Sequence, residues 1–376
     1  MKQIQMVDTK TQYLNIKTEI DKAIQDVLDS AAYINGKPVH QFAEALSEYI
    51  GCKHTITCGN GTDALQIAMM ALGLQPGDEV ITPSFTYIAT TEVVALLRLK
   101  PVFAEVDPNT FCIDPESVRK LITPKTKAIV PVHLYGHAAP MEEIMQIAKE
   151  FNLFVIEDNA QAIGSTYTFK DGTKKKTGSI GHIGCTSFYP SKNLGAYGDG
   201  GAIFTNDSAL AEVLKMTANH GQNRRYYHDI VGCNSRLDSI QAAILNIKLR
   251  KLDEYNAARQ SVAAFYNKAF EANDNIITPY VAPFSNHVYH QYTLKVDPDK
   301  RDGLVAHLAE KGIPSMIYYP VPGHRQKVFQ HISTEGIVNL EITDWLTERV
   351  ISLPIHTEFE TEQLEYITKE VLDYIN

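Results

Sequence analysis

Phe154-Val155-Ile156-Glu157-Asp158-Asn159-Ala160-Gln161 is an apolar run that stops abruptly at two acids. A strand buried on both faces reads this way, because neither side of it needs polar residues. Parallel strands are covered in that fashion, and open parallel sheets place their ligand sites at the carboxyl ends of strands. Asp158 stands at such an end, where a carboxylate is suited to pairing with a protonated ring nitrogen. Taken alone it reads more readily as a helix N-cap or half of a sheet-edge ion pair.

Working outward, strand-like and helical runs alternate. A helix is expected over about 15–31 and strands over 55–57, 79–82, 101–105 and 128–132, with Gly77-Asp78 and Pro108-Asn109 as turns. Each strand is followed by a stretch able to form a helix, the unit that builds a mostly parallel sheet with helices on both faces. From Ser235 the pattern changes to one long helical stretch reaching about residue 272, with apolar Leu237, Ile240, Ile244, Ile247 and Leu252. It reads as the bridge to a smaller α+β layer built from a strand at 290–296, a helix at 301–311, a strand at 315–319 and a final helix at 362–375. The expected division is a large domain over 1–249 and a small C-terminal domain over 250–376. There is no internal repeat and no long linker.

A chain of 376 residues that is 44% hydrophobic can bury a large core. Its net charge of −9 and lack of a long basic stripe argue against a nucleic-acid partner. Lys174-Lys175-Lys176 reads as a solvated loop. The apolar runs are too short and too interrupted to cross a bilayer, and the N-terminal residues are polar, so the expected location is the cytoplasm. Five scattered cysteines with no Cys-x-x-Cys pair read as reduced thiols. His133 and His137 have a metal-like spacing, but Gly136 and the preceding strand argue against a shared helical face, and no metal is expected.

Two further stretches carry chemistry. Ser187-Phe188-Tyr189-Pro190-Ser191-Lys192 follows a short strand-like run and precedes Gly195 and Gly198-Asp199-Gly200-Gly201. One lysine set between serines and a glycine segment is placed as a Schiff-base lysine is, its amine within reach of a cofactor aldehyde. Gly59-Asn60-Gly61-Thr62-Asp63-Ala64 leads from a strand into an apolar helix, and Gly61 and Thr62 would open it with free N–H groups suited to a phosphate. Alone, the lysine reads as a solvated surface group and Gly61-Thr62 as an ordinary capped helix start. With Asp158 upstream of Lys192, the three in this order read as a site for pyridoxal phosphate.

These stretches, with Pro83-Ser84-Phe85-Thr86-Tyr87 and Gly232-Cys233-Asn234-Ser235-Arg236-Leu237-Asp238, together resemble the DegT/DnrJ/EryC1/StrS sugar aminotransferases from about residue 7 to the C-terminal helix. His220-Gly221-Gln222-Asn223-Arg224-Arg225-Tyr226 and Tyr87-Ile88-Ala89-Thr90 most resemble the branch that aminates C3 of a UDP-linked 2-acetamido-3-oxo-glucuronic acid. The resemblance implies the aspartate-aminotransferase-like fold (pyridoxal-phosphate fold type I), pyridoxal 5'-phosphate as cofactor with pyridoxamine 5'-phosphate as its other form, and L-glutamate as amino donor to a keto carbon of a nucleotide-linked sugar. Cell-surface polysaccharide or glycan biosynthesis is the implied setting.

Carried onto this chain, the resemblance makes Lys192 the Schiff-base lysine and Asp158 the partner of the pyridine nitrogen. Tyr87 stacks on the ring, Gln161 donates to the phenolic oxygen, and Ser187 joins Gly61 and Thr62 on the phosphate. Asn234 crosses a homodimer interface to the partner's phosphate, so that the active sites are shared, and Arg236 receives a substrate carboxylate. Tyr318, Tyr319 and His324, with Gln326, resemble the substrate-binding loop. The family more often has His-Tyr-Pro there, and in the glucuronate branch that histidine lies near the sugar; this chain has tyrosine at 318. Amination at C4 of a dTDP- or UDP-4-keto-6-deoxysugar is an alternative. A dehydratase of the same fold would have histidine in place of Lys192, and a non-catalytic cofactor-binding regulator would not need the full set of Lys192, Asp158, Gln161 and Ser187.

Overall fold

The computed structural model describes residues 2–330 and 340–376. Its centre is a seven-stranded sheet made of β1 (His54–Cys58), β2 (Glu79–Pro83), β3 (Lys100–Ala104), β4 (Thr126–Ile129), β5 (Phe154–Asp158), β8 (Ile183–Ser187) and β9 (Gly201–Thr205), in the order β1-β9-β8-β5-β4-β2-β3. Only β9 runs against the others: it pairs antiparallel with both β1 and β8, and the remaining pairs are parallel. This is the mostly parallel α/β sheet that the alternating pattern predicts.

Consecutive residues of a strand point to opposite faces, so a strand covered on both sides must be apolar throughout. In β5, Ile156 joins a core shared with α4 (Gly61–Ala71), α5 (Ala89–Leu96) and α8 (Ser208–Ala218), while Val155 joins one shared with α6 (Pro115–Leu121) and α7 (Met141–Phe151). Val80 and Ile81 of β2 divide in the same way. Beyond β8, Ala202 and Phe204 of β9 pack on α3 (Lys37–Ile50) and α9 (Ser239–Leu249). Each such aliphatic side chain, withdrawn from water, stabilises the fold by roughly 1.5–3 kcal/mol.

Against α9 lies α2 (Lys17–Ser30), preceded by α1 (Thr9–Asn15). The helix expected over 15–31 is α2, bounded at Ile16, whose backbone leaves the helical region; α1 ahead of it was not expected. The long helix expected from Ser235 is two: α9 ends at Leu249 and α10 (Leu252–Phe270) begins afresh, with Asp253 and Glu254 in its first turn favouring a new N-terminus. α4 stops at Ala71, beyond which the chain turns through Gly73 at φ +67°.

A second core gathers α10, α11 (Pro298–Glu310) and α13 (Thr361–Ile375) on a small antiparallel sheet of β12 (Ile276–Ile277), β14 (Tyr292–Val296) and β15 (Val350–Leu353). The strand expected at 315–319 is reduced to one bridge between Met316 and Ser352; the rest of that segment turns toward the large sheet. α12 (Glu341–Thr347) packs there, Leu346 meeting Phe85, Phe111 and Tyr135. Lys174-Lys175-Lys176 is not a loop but β7 (Lys174–Lys176), paired with β6 (Thr166–Thr168), which also meets β13 (Ser285–Asn286). Lys176 lies over the Tyr49 ring at 3.6 Å, which gives that lysine a packed position. β10 (Gln222–Arg224) and β11 (Tyr227–His228) form an exposed hairpin. Among the described residues no helix is long and apolar enough to cross a membrane.

Candidate active site

A cavity of about 750 Å³ opens at the carboxyl ends of β5 and β8. Its wall includes Gly61 and Thr62 from α4, Tyr87 ahead of α5, Asp158 and Gln161 at the end of β5, Ser187 and Lys192 after β8, and Tyr318 and Tyr319. Nine of the residues singled out in the sequence therefore meet in one place.

The Asp158 carboxylate is buried, and loss of water raises its pKa above the usual carboxylate range. Opposing that rise, Thr90 Oγ1 donates to Oδ2 at 2.8 Å and the Ala160 N–H to Oδ1 at 3.2 Å, with the nearby charge of Lys192 also favouring the anion. For Lys192 the balance runs the other way. Burial pulls its amine down to about 8 against the upward push of Asp158, and its Nζ makes no hydrogen bond among the described residues. A substantial fraction is thus a free, nucleophilic amine near neutral pH.

The turn carrying Lys192 is braced from several sides. The Lys192 N–H donates to Tyr189 O, and Ala196 N–H to Phe188 O. Asn193 Nδ2 donates to Asn256 Oδ1 of α10 at 2.7 Å and to Val288 O at 2.9 Å. Lys248, buried in α9 with its own amine pulled down to about 8, donates to Gly195 O at 2.5 Å.

At the opposite wall the start of α4 is capped by Asn60, whose side chain accepts from Asp63 N–H at 2.8 Å. The N–H groups of Gly61 and Thr62 are left as first-turn donors beside Ser187. A Cβ on Gly61 would come within 2.7 Å of Ser187 Cβ, so only glycine allows this approach. Gln161 is fixed at both ends: Oε1 accepts from Tyr135 N–H at 2.8 Å and Nε2 donates to Tyr319 Oη at 3.0 Å, leaving one amide hydrogen for a ligand. Tyr87 is 56% exposed, its ring 6.2 Å from that of Tyr319.

Three sequence candidates do not line the cavity. Asn234 is exposed and Arg236 half-buried, the latter donating to Asn219 Oδ1 at 3.4 Å. Between them Ser235 ties this segment to the start of α4, donating to Asp63 Oδ2 at 2.6 Å and accepting from Gly59 N–H at 2.8 Å. His324 is buried behind the wall. Its Nδ1 lies 2.7 Å from Ser84 Oγ and its Nε2 3.4 Å from Asp344, so both ring nitrogens are engaged by protein rather than offered to a substrate.

Other residues of the site went unremarked in the sequence. Thr90, which sits behind the wall on Asp158, lies within the quoted Tyr87-Ile88-Ala89-Thr90 but has no signal of its own. His290 and Gln291 lie at the start of a strand and look like core positions; His290 is 5% exposed, and its buried Nδ1 has no partner among the described residues. His133 and His137 are both satisfied by protein. His133 Nε2 meets Glu157 at 2.8 Å and its Nδ1 accepts from Ala139 N–H, while His137 bonds Ala138 O and Ala282 N–H.

Residues 14–372 match the DegT/DnrJ/EryC1/StrS aminotransferase family. The chain belongs to that family. Over 97% of its length it is 45% identical to the UDP-2-acetamido-2-deoxy-3-oxo-D-glucuronate aminotransferase of Pseudomonas aeruginosa, covering 98% of that protein. It is 44% identical to a protein of Geobacillus stearothermophilus named a pleiotropic regulatory protein, over 99% of this chain and 98% of the other. The crystal structure of S. venezuelae DesV in complex with a ketimine intermediate superposes with a TM-score of 0.94 at 37% identity, covering 100% of this chain and 99% of DesV. The fold is that of the family, and the chain is a pyridoxal-phosphate-dependent aminotransferase acting on nucleotide-linked sugars.

The cavity fits that cofactor. A buried amine with no hydrogen bond among the described residues faces a buried carboxylate, and the glycine-opened start of α4 offers N–H groups to an anion at the far side.

Proposed function

We propose that this enzyme transfers the amino group of L-glutamate to C3 of a UDP-linked 2-acetamido-3-oxo sugar. The single observation that carries the site assignment is the free Lys192 amine and the Asp158 carboxylate facing one cavity. Support for C3 and UDP comes from the similarity to the Pseudomonas aeruginosa enzyme. Lys192 would hold the cofactor through its ε-amine and Asp158 its ring nitrogen, with Tyr87 against the ring face and Gln161 at the phenolic oxygen. Gly61, Thr62 and Ser187 would take the phosphate together with the partner subunit's Asn234, in a homodimer with shared sites. The exposed position of Asn234 agrees with that role. The two domains proposed, 1–249 and 250–376, meet between α9 and α10.

When bound, pyridoxal phosphate supplies an electron sink that lets the amino group pass from donor to acceptor. The rest is done by side chains. Asp158, kept anionic, stabilises positive charge on a ring nitrogen. Lys192, once its amine is released, carries a proton on Nζ between the reacting carbons, and its lowered pKa suits it to both taking and giving that proton near neutral pH. Tyr318 and Tyr319 border the space left for the sugar, and Arg236 of the partner would meet its carboxylate where it has one. Glutamate leaves as its keto acid and the ketosugar as an aminosugar, a step suited to building surface polysaccharide or glycan precursors in the cytoplasm.

Assaying reconstituted enzyme with glutamate on UDP- and dTDP-linked 3-keto and 4-keto sugars, with and without a C5 carboxylate, tests the reading. Turnover confined to 4-keto sugars would move the assignment to C4. Turnover by Lys192→Ala at the normal rate would remove Lys192 from the chemistry.

A further inference from the structure

Burial drives a carboxylate toward its uncharged acid, so a carboxylate meant to stay ionised must be held by donors. Each oxygen of Asp158 has one from the protein: Thr90 Oγ1 on Oδ2 at 2.8 Å and the Ala160 N–H on Oδ1 at 3.2 Å. An ionised carboxylate only accepts, so the Thr90 hydroxyl is the donor. Its oxygen then has a lone pair free for Thr86 Oγ1, 3.3 Å away, which gives a short chain of hydroxyls running toward the carboxylate. Thr90 is 1% exposed, and α5 begins at Ala89, so the hydroxyl is fixed by a helix start rather than by a mobile loop.

Among the described residues, four titratable groups face Asp158: Lys192, His133, Cys185 and Tyr319. Burial keeps Cys185 and Tyr319 uncharged at neutral pH. His133 accepts a backbone N–H at Nδ1 and so carries its hydrogen on Nε2, toward Glu157. Lys192 changes charge near neutral pH, and the Thr90 hydroxyl does not.

We propose that Thr90 is the positioning residue for the Asp158 carboxylate, holding it ionised and aimed into the cavity, and thereby sets how tightly a cationic aromatic nitrogen is bound there. The proposal rests on the reading of Asp158 as the partner of the cofactor's ring nitrogen. Thr90 touches neither cofactor nor substrate in this role; it acts through the carboxylate.

The test measures the dissociation constant of pyridoxal phosphate for apoprotein by equilibrium dialysis at several pH values. The proteins compared are wild type, Thr90→Val, Thr90→Ser, Asp158→Asn and the Thr90→Val/Asp158→Asn double variant. Losing one hydrogen bond to a charged group is expected to weaken binding in Thr90→Val by roughly 10- to 100-fold. The pH above which the wild type binds tightly should also move upward in Thr90→Val, because the carboxylate then ionises later. Thr90→Ser should restore both, which excludes misfolding as the cause, and Thr90→Val should add almost nothing in the Asp158→Asn background. Wild-type affinity in Thr90→Val, or the same fold-loss in both backgrounds, overturns the role of Thr90. Wild-type affinity in Asp158→Asn overturns the underlying reading of Asp158, and the Thr90 proposal with it.

Discussion

Cofactor capture by the apoprotein should follow the ionisation of Lys192, and the structure sets where that lies. Only the free amine attacks an aldehyde. With its pKa pulled down to about 8, roughly a tenth of Lys192 is free at pH 7, whereas an ordinary lysine at 10.5 would be free in about three molecules of ten thousand. The difference is an advantage of about 300-fold in reactive amine. The rate of capture, followed by stopped-flow absorbance at fixed pyridoxal phosphate between pH 6 and 10, should rise with pH through a midpoint at about 8 and level off roughly one pH unit above it. The sign of a second perturbation is fixed as well. Asp158 pushes the Lys192 pKa upward, so Asp158→Asn should move the midpoint below the wild-type value even though it weakens final affinity. A midpoint near 10, or an upward move in Asp158→Asn, would refute the claim that burial and this one carboxylate set the amine.

Three other outcomes are expected. Mixed after dissociation and reassociation, the separately inactive Lys192→Ala and Asn234→Ala proteins should recover about a quarter of wild-type turnover, since half the dimers would then hold one intact shared site; no recovery would mean that Asn234 acts within its own chain. Glu157→Ala should lower stability to chemical denaturation by on the order of 3–5 kcal/mol, because His133 and the N–H groups of Gly178, Ile180 and Gly181 all bond this buried carboxylate; a loss under about 1 kcal/mol would contradict that network. Gly61→Ala, whose new methyl would meet Ser187, should bind pyridoxal phosphate at least about 10-fold more weakly while folding normally, and unchanged affinity would show that α4 has room to move.

The sheet was legible because its strands obey a simple rule. Val80, Ile81, Val155 and Ile156 must be apolar on both faces, and such runs leave a plain trace in the chain. The break after Leu249 was not legible, because the apolar periodicity passes through it and only the acids of the following turn mark the new helix. In the site, Lys192, Asp158 and Gly61 stand out by their order along the chain and the motifs around them, since each alone has an ordinary structural use. Thr90 and His290 do not, since a threonine in a helix and a histidine beside a strand are ordinary until the fold brings one to the Asp158 carboxylate and the other to the cavity. His324 shows the converse: it belongs to a recognisable motif, yet Ser84 and Asp344 claim its ring.

Glu157 and Asp158 are neighbours in sequence with opposite surroundings, one gripped by main-chain amides on the far side of β5 and the other open to the cavity. Sliding β5 forward by a single position would carry Glu157 into the place of Asp158 and Ile156 into that of Glu157, stranding three amides without an acceptor and turning the wrong carboxylate toward the cofactor. The pair therefore works as a registration mark: correct alignment of the innermost strand and a competent centre are achieved by the same placement. Insertions or deletions within this strand should be lethal to catalysis even where the hydrophobic pattern survives them.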